Sequence, residues 1–321
     1  MVQRERFRHE LEKRFVELDA REAARFPQEE TLRVDLHCHD HNSDVPDELL
    51  GRILRVPETW TRTGEVRAAL AAADTDGVTI TNHNNARSCW AELDAGLDVL
   101  VGAEFTFTVP EDDVQLHVLT YGFDPKEEAR LNRLRKNLYR FLDFARERDL
   151  PCVLAHPLFF YAPRGAPRLE FLEKLTLLFD NFECMNGQRD AWQNLLIAAW
   201  FDELDEERVS ECSRRTGIAP DRFSRRPWRK SMTGGSDCHM GLFAGVTGTR
   251  LHVPDLARRR GEEPVGALAL EALRAGRLAP YGTYNGPEKL AASFLDYFCQ
   301  VAMNMRDPGL LRMLLHKGEP R

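Results

Sequence analysis

Leu32-Arg33-Val34-Asp35-Leu36-His37 reads as a short strand that runs on into Cys38-His39. Residues i and i+2 of an extended chain point to the same side. Both imidazoles can therefore meet one ion while Cys38 faces away. Ser236-Asp237-Cys238-His239 repeats the arrangement far along the chain, with Cys238 again turned outward. Surface polar alternation accounts equally well for one such pair, and less well for two.

Working outward, predicted strands fall at Leu32–His37, Gly77–Thr81, Val99–Glu104, Val114–Tyr121, Cys152–Ala155, Asn181–Met185, Ser231–Ser236 and Thr247–Val253. Helical patterns at 63–73, 86–95, 125–148, 168–179, 189–215 and 265–275 separate them. This alternation predicts βα units and a largely parallel sheet. One exception is local: Phe105 to Val109 alternates, meets Pro110-Glu111-Asp112-Asp113, and alternation resumes at Val114, which reads as a hairpin or protruding loop. Seven or eight units over about 250 residues is barrel scale, and a parallel barrel gathers its chemistry at the C-terminal ends of its strands. His37, His83, Glu104, His156 and Asp237 all sit at or just after the end of a predicted strand. An open doubly wound sheet would spread them along an edge; their number favours closure.

Three regions are expected. Residues 1–30 form an amphipathic helix packed on the body through Phe7, Leu11, Phe15 and Leu18. Residues 31–285 form the metal-binding barrel. Residues 286–321 form a C-terminal helical extension carrying Leu290, Phe294, Tyr297, Phe298 and Val301.

The 321 residues carry a formal charge of −7, which argues against a protein that coats nucleic acid. A basic stretch at Arg222, Arg225, Arg226, Arg229 and Lys230 is either a solvated loop or a guide for a strand. Seven dispersed cysteines without a Cys-x-x-Cys pair fit reduced thiols. The charged N-terminus has no signal-type apolar core, and no apolar run approaches the ~20 residues of a membrane helix. The expectation is a cytoplasmic protein without a membrane partner; its oligomeric state is not legible.

Seven of ten histidines lie in or beside the strand-end segments. Imidazole and carboxylate together suit Zn, Mn and Fe. Asp44 follows a polar turn, where an Asp is usually a turn former, but the first histidine pair is near. The amides Asn82, Asn84 and Asn85 beside His83 can orient ligands or cap the next helix. Glu104 ends an apolar strand, so it needs a cation or donors. His117 sits mid-strand and by itself reads as a core histidine. His156 precedes Pro157, which predicts an extended backbone.

Taken in order, Asp35-Leu36-His37-Cys38-His39, Ser43-Asp44, Thr81-Asn82-His83, Gly102-Ala103-Glu104, His117-Val118-Leu119-Thr120-Tyr121-Gly122, Ala155-His156-Pro157 and Gly235-Ser236-Asp237-Cys238-His239 resemble the PHP (polymerase and histidinol phosphatase) superfamily over residues 32 to 255. The resemblance implies an α/β fold, a distorted (β/α)7 TIM-like barrel, with two or three divalent ions. By position, His37, His39, Glu104 and Asp237 would hold one ion. Glu104, His117 and His156 would hold a second, with Glu104 bridging. Asp44, His83 and His239 would hold a third. Asn82 and Val45 depart from the family's usual Asp and Gly, and a segment around Leu49–Thr61 looks inserted.

The chemistry so implied is hydrolysis of a phosphate monoester, of a small metabolite or nucleotide, by a metal-activated hydroxide at a di- or trinuclear site. Glu104, Asp237 and His239 would be catalytic, and Arg87, Arg164 and Arg189 are candidates to grip a non-reacting phosphate. Competing expectations are a nuclease using the Arg222–Lys230 stretch, an amidohydrolase-like enzyme, and a non-catalytic module that keeps metal for structure.

Overall fold

The computed structural model describes residues 2–43, 59–112, 114–159 and 169–304. The first half contains α1 (Val2–Ala23), a 3-10 turn (Gln28–Glu30), β1 (Thr31–Val34), α2 (Thr63–Ala72), α3 (Arg87–Asp94), β2 (Gly102–Val109), β3 (Val114–Tyr121), α4 (Pro125–Leu134), α5 (Leu138–Glu147) and β4 (Cys152–Leu154). The second contains α6 (Leu169–Leu178), β5 (Asn181–Asn186), α7 (Ala191–Asp202), α8 (Glu206–Thr216), β6 (Ser231–Gly235), β7 (Gly248–His252), α9 (Leu256–Arg259), α10 (Val265–Ala275), β8 (Leu278–Tyr281) and α11 (Pro287–Asn304).

The fold is mixed α/β. One sheet has the order β2-β3-β4-β5-β6 and the other β1-β7-β8. β3 runs antiparallel to both neighbours, while β4–β5 and β5–β6 are parallel. The hairpin read around Pro110 is thus β2–β3 itself, in register from Gly102↔Tyr121 to Val109↔Val114, and the sheet is less parallel than predicted. Phe105, Phe107 and Val109 are buried, because alternation along β2 sends them to one face.

The first predicted strand stops early. β1 ends at Val34 and belongs to the antiparallel sheet with β7 and β8, a strand the sequence pattern did not show. Asp35 is the cause of the break. Its buried carboxylate accepts the backbone N–H groups of His37 (3.1 Å), Ser236 (2.9 Å) and Gly245 (2.8 Å). Burial pushes its carboxyl up to about 6, against those bonds. Beyond the break, His39 N donates to Cys238 O and Thr81 N to Cys38 O. Gly77–Thr81 likewise is not a strand: Val78 bridges to Val99, and His83, just beyond it, to Glu104. Backbone contacts therefore run from the end of β6 through 37–39 and 78–83 back to β2. Asp35→Asn puts an amide donor against a backbone donor, at a cost of about 1–3 kcal/mol. Chemical denaturation should show that loss, and an unchanged midpoint would contradict the pinning role.

Two predicted helices are each split. Asn137 caps α5 by accepting from Arg140 N (3.1 Å), and Asp205 caps α8 by accepting from Arg208 N (2.7 Å). Short polar side chains favour such caps over helix interiors. α1 buries Phe15 and Leu18, whereas Phe7 is 63% exposed and does not dock as expected. α11 lies where the C-terminal helical extension was read, with Phe294 and Phe298 exposed. Among the described residues no helix is long and apolar enough to cross a membrane.

Candidate metal centre

Glu104, two residues past the start of β2 and fully buried, is the hub of the site. Its Oε2 lies 3.2 Å from His37 Nε2, 3.3 Å from His39 Nε2 and 3.1 Å from His83 Nδ1. Its Oε1 lies 2.8 Å from His117 Nδ1 and 3.2 Å from His156 Nε2. Asp237 faces the same cluster, with Oδ1 at 3.5 Å from His37 Nε2 and 3.6 Å from His39 Nε2. His239 stacks on His39 at 4.2 Å between ring centroids, and its Nδ1 is 2.8 Å from the Asp237 carbonyl.

The backbone that delivers these groups departs from the predicted extended chain at two of them. β6 ends at Gly235, and Asp237 has φ +51°, so Asp237 and His239 converge through a left-handed turn rather than strand alternation. His156 has φ +27° in place of the extended conformation read from Pro157. Its N–H donates to Glu183 Oε2 (2.9 Å), its Nδ1 sits 3.2 Å from Phe159 O, and its Nε2 meets Glu104. Such over-determination is what holds a strained residue in place.

Ligand atoms within 4.8 Å of one another form four overlapping sets: His37/His39/Asp237, His37/Glu104/His156, His83/Glu104/His117 and His39/His83/His239. Glu104 is shared by two of them. Asp44, the remaining residue assigned to a third ion, lies outside the described residues. Nε2 of His37, Nε2 of His39 and Oε2 of Glu104 are buried yet make no hydrogen bond, although the two nitrogens approach the oxygen. They converge without the alignment of donor to acceptor, as ligands around a cation do. A buried carboxylate pair among imidazoles is a donor set suited to Zn, Mn or Fe, so the residues present fit a metal.

The electrostatics agree. Burial opposes ionisation of Glu104, but the imidazoles of His37, His117 and His83 outweigh it and hold its carboxyl well below the usual range. Asp237 is likewise held low, against burial, by His37, His39 and Arg189. Burial pushes His37 down, yet Glu104, Glu183 and Asp237 together raise it well above its ordinary value. Negative charge in the pocket calls for cations.

Two supporting residues escaped the sequence reading. Glu183 Oε1 lies 2.9 Å from His37 Nδ1, and Asn186 Nδ2 donates to both Glu183 Oε2 (2.8 Å) and Asp237 Oδ2 (3.1 Å). The only signal was Asn181–Met185 as a strand with a carboxylate inside it. Asn82 also finds a purpose: its Nδ2 donates to Asp40 Oδ1 (2.7 Å) and its Oδ1 accepts Asp40 N (2.8 Å). An Asp at 82 would set two carboxylates against each other, so Asn82 matches Asp40 in this chain. Cys38 turns away, donating to Thr79 O (3.3 Å), and Cys238 is buried.

Of the three candidate phosphate contacts, Arg189 reaches the cluster. Its Nη2 is 3.3 Å from Asp237 Oδ2, and its guanidinium stacks 3.7 Å from the Phe159 ring centroid. Arg87 is exposed at the start of α3, bonded to Asn85 and Asn42. Arg164 lies outside the described residues. The basic stretch sits at the other end of the strands. Arg226 binds Asn181 and Ser231, the first residues of β5 and β6, while Arg222 pairs with Asp143 and Arg225 with Asp149.

No family model and no curated protein matches the chain. Among solved structures, the chain is similar to a two-domain protein from Bacteroides vulgatus containing a predicted PHP-like metal-dependent phosphoesterase (17% identity, 83% of this chain, 70% of that one, TM-score 0.46). It is also similar to a protein from Bifidobacterium adolescentis assigned as a metal-dependent phosphoesterase (17% identity, 65% and 88%, TM-score 0.39). A third is an amidohydrolase from Chromobacterium violaceum with bound sulfate and no metal (16% identity, 75% and 96%, TM-score 0.42).

Proposed function

We propose that this chain is a PHP-type, metal-dependent hydrolase of phosphate monoesters. The observation that carries the proposal is the convergence of five imidazoles on the two oxygens of Glu104, beside Asp237 and His239. In this reading 37–39, 78–83 and β2 through β6 are the seven staves of a distorted barrel, with the cluster at one mouth.

His37, His39, His83, Glu104, His117, His156, Asp237 and His239, with Asp44, would hold two or three divalent ions. When bound, such ions supply Lewis-acid contacts to phosphoryl oxygens and make a water nucleophilic near neutral pH. The chain's own groups do the rest. Glu104 and Asp237 bring the negative charge that keeps cations in a buried pocket. Among the described ligands His239, its side chain 20% exposed, is the most open and the one an entering ester meets first. Arg189, held flat on Phe159, presents a fixed guanidinium where a phosphate arrives beside Asp237.

Elemental analysis of protein purified without chelator, joined to a phosphate-release panel, tests the proposal. Bound Mn, Fe or Zn with turnover of a small phosphorylated substrate is expected. Turnover of amides or lactones alone would replace the phosphoesterase with an amidohydrolase-like enzyme, and absence of metal would end both. Arg189→Ala should lower kcat/KM by about 10- to 100-fold, the size of one or two charge-assisted hydrogen bonds, and leave metal content unchanged. An unaltered kcat/KM would remove Arg189 from the substrate site.

A further inference from the structure

We infer that Glu183 is the positioning residue of this metal centre: it fixes His37 with Nδ1 protonated and Nε2 presented to the cluster, and it ties His37 to His156 and Asp237. The inference rests on the metal-binding reading and deepens it.

β5 places Glu183 where a regular strand could not use it as well. The pairing of β5 with β6 runs Glu183↔Thr233 and then Met185↔Gly234, so Cys184 is an extra residue. Side chains three apart on a regular strand face opposite sides. One inserted residue reverses that parity, and Glu183 and Asn186 both turn toward the cluster. Glu183 then makes three contacts while fully buried. Oε1 meets His37 Nδ1 at 2.9 Å, and Oε2 accepts His156 N at 2.9 Å and Asn186 Nδ2 at 2.8 Å. The amide of Asn186 continues to Asp237 Oδ2.

Both oxygens of Glu183 face hydrogen-bonding partners. Glu183 opposite Nδ1 keeps the proton there, so the proton given up to a cation would be the one on Nε2, on the side where Glu104 and Asp237 lie. Gly235 completes the fit. A Cβ on Gly235 would lie 2.6 Å from Glu183 Oε1 and would also run into the His37 Cβ, between the two partners. The carboxylate thus acts on the ion only through residues 37, 156 and 237, which come from three different segments.

The test uses zinc as the probe, titrated against a competing chelator with the full chain. Glu183→Gln can keep an acceptor toward His37 or toward His156 but not both, and Glu183→Ala keeps neither. Both should bind zinc about 10- to 100-fold more weakly, the usual loss for an outer partner of a ligating histidine. In the unsubstituted zinc-loaded protein, ¹H–¹⁵N correlation of the imidazoles should show His37 protonated at Nδ1, with a downfield proton. That measurement needs no variant to fold, and the downfield position, which reports the hydrogen bond to Glu183 and is not supplied by zinc ligation alone, should be lost in Glu183→Ala. Zinc affinity in both variants equal to that of the unsubstituted chain, or a His37 protonated at Nε2 in the loaded protein, overturns the inference. Failure of the unsubstituted chain to bind zinc, manganese or iron overturns the metal reading itself, and Glu183 with it.

Discussion

Glu104→Gln is expected to cut phosphate-ester turnover by about a thousandfold, comparable with losing one major preorganised electrostatic group, and to lower bound metal in the same preparation. The reason is that both of its oxygens are in use. Oε1 serves His117 and His156, and Oε2 serves His37, His39 and His83. A neutral amide has one acceptor and one donor, so it fails one set of neighbours and supplies no charge to either. No other described carboxylate reaches all these imidazoles; Asp237 contacts His37, His39 and His239 from the other side. The prediction has two separable readouts, turnover and metal stoichiometry by elemental analysis. A Glu104→Gln variant that retains full metal and full rate would show that the convergence on Glu104 has no catalytic meaning. Loss of rate with full metal would move Glu104 from holding the ions to a role at the reacting water.

What could be read beforehand was the chemistry of local pairs. His37 and His39 stood out because a single intervening residue is the shortest spacing that aims two imidazoles one way. Glu104 stood out because an acid at the end of an apolar strand requires partners. What could not be read was geometry set by long-range contacts. β1 stops at Val34 because Asp35 is held by Ser236 and Gly245, residues far along the chain. The left-handed φ of His156 overrides the proline rule because Glu183 and Phe159 claim its polar atoms. Glu183 and Asn186 were hidden by a bulge, which periodicity cannot show, since period-2 alternation assigns them to opposite faces. β8 was missed because Leu278-Ala279-Pro280-Tyr281 is short and contains a proline, which sequence rules count against a strand. The distant location of the basic stretch was equally illegible: its arginines are matched by Asp143, Asp149 and Asn181 from other elements.

The second large effect concerns stability. Stripping the protein with a strong chelator is expected to lower its thermal midpoint by about 5 °C or more. An ion present at about 100 times its Kd stabilises the native state by about 2.7 kcal/mol if the unfolded chain does not bind it, and for domains of 150–250 residues each kcal/mol shifts the midpoint by about 2–4 °C. The gap between loaded and stripped protein should widen as pH rises from about 6 to 8. In the stripped protein His37 is raised above its unfolded value by Glu104, Glu183 and Asp237 acting against burial. Its stabilising contribution is therefore complete below about pH 6.5, the unfolded value, and is lost as pH climbs through the raised one. His156, pushed down by burial, works in the opposite sense. In the loaded protein the ligands must be unprotonated, so metal binding strengthens over the same interval. Calorimetry with and without chelator at three pH values reads both effects. Equal midpoints at every pH would mean that the crowded carboxylates and imidazoles are satisfied by one another, and that the centre holds no ion in solution.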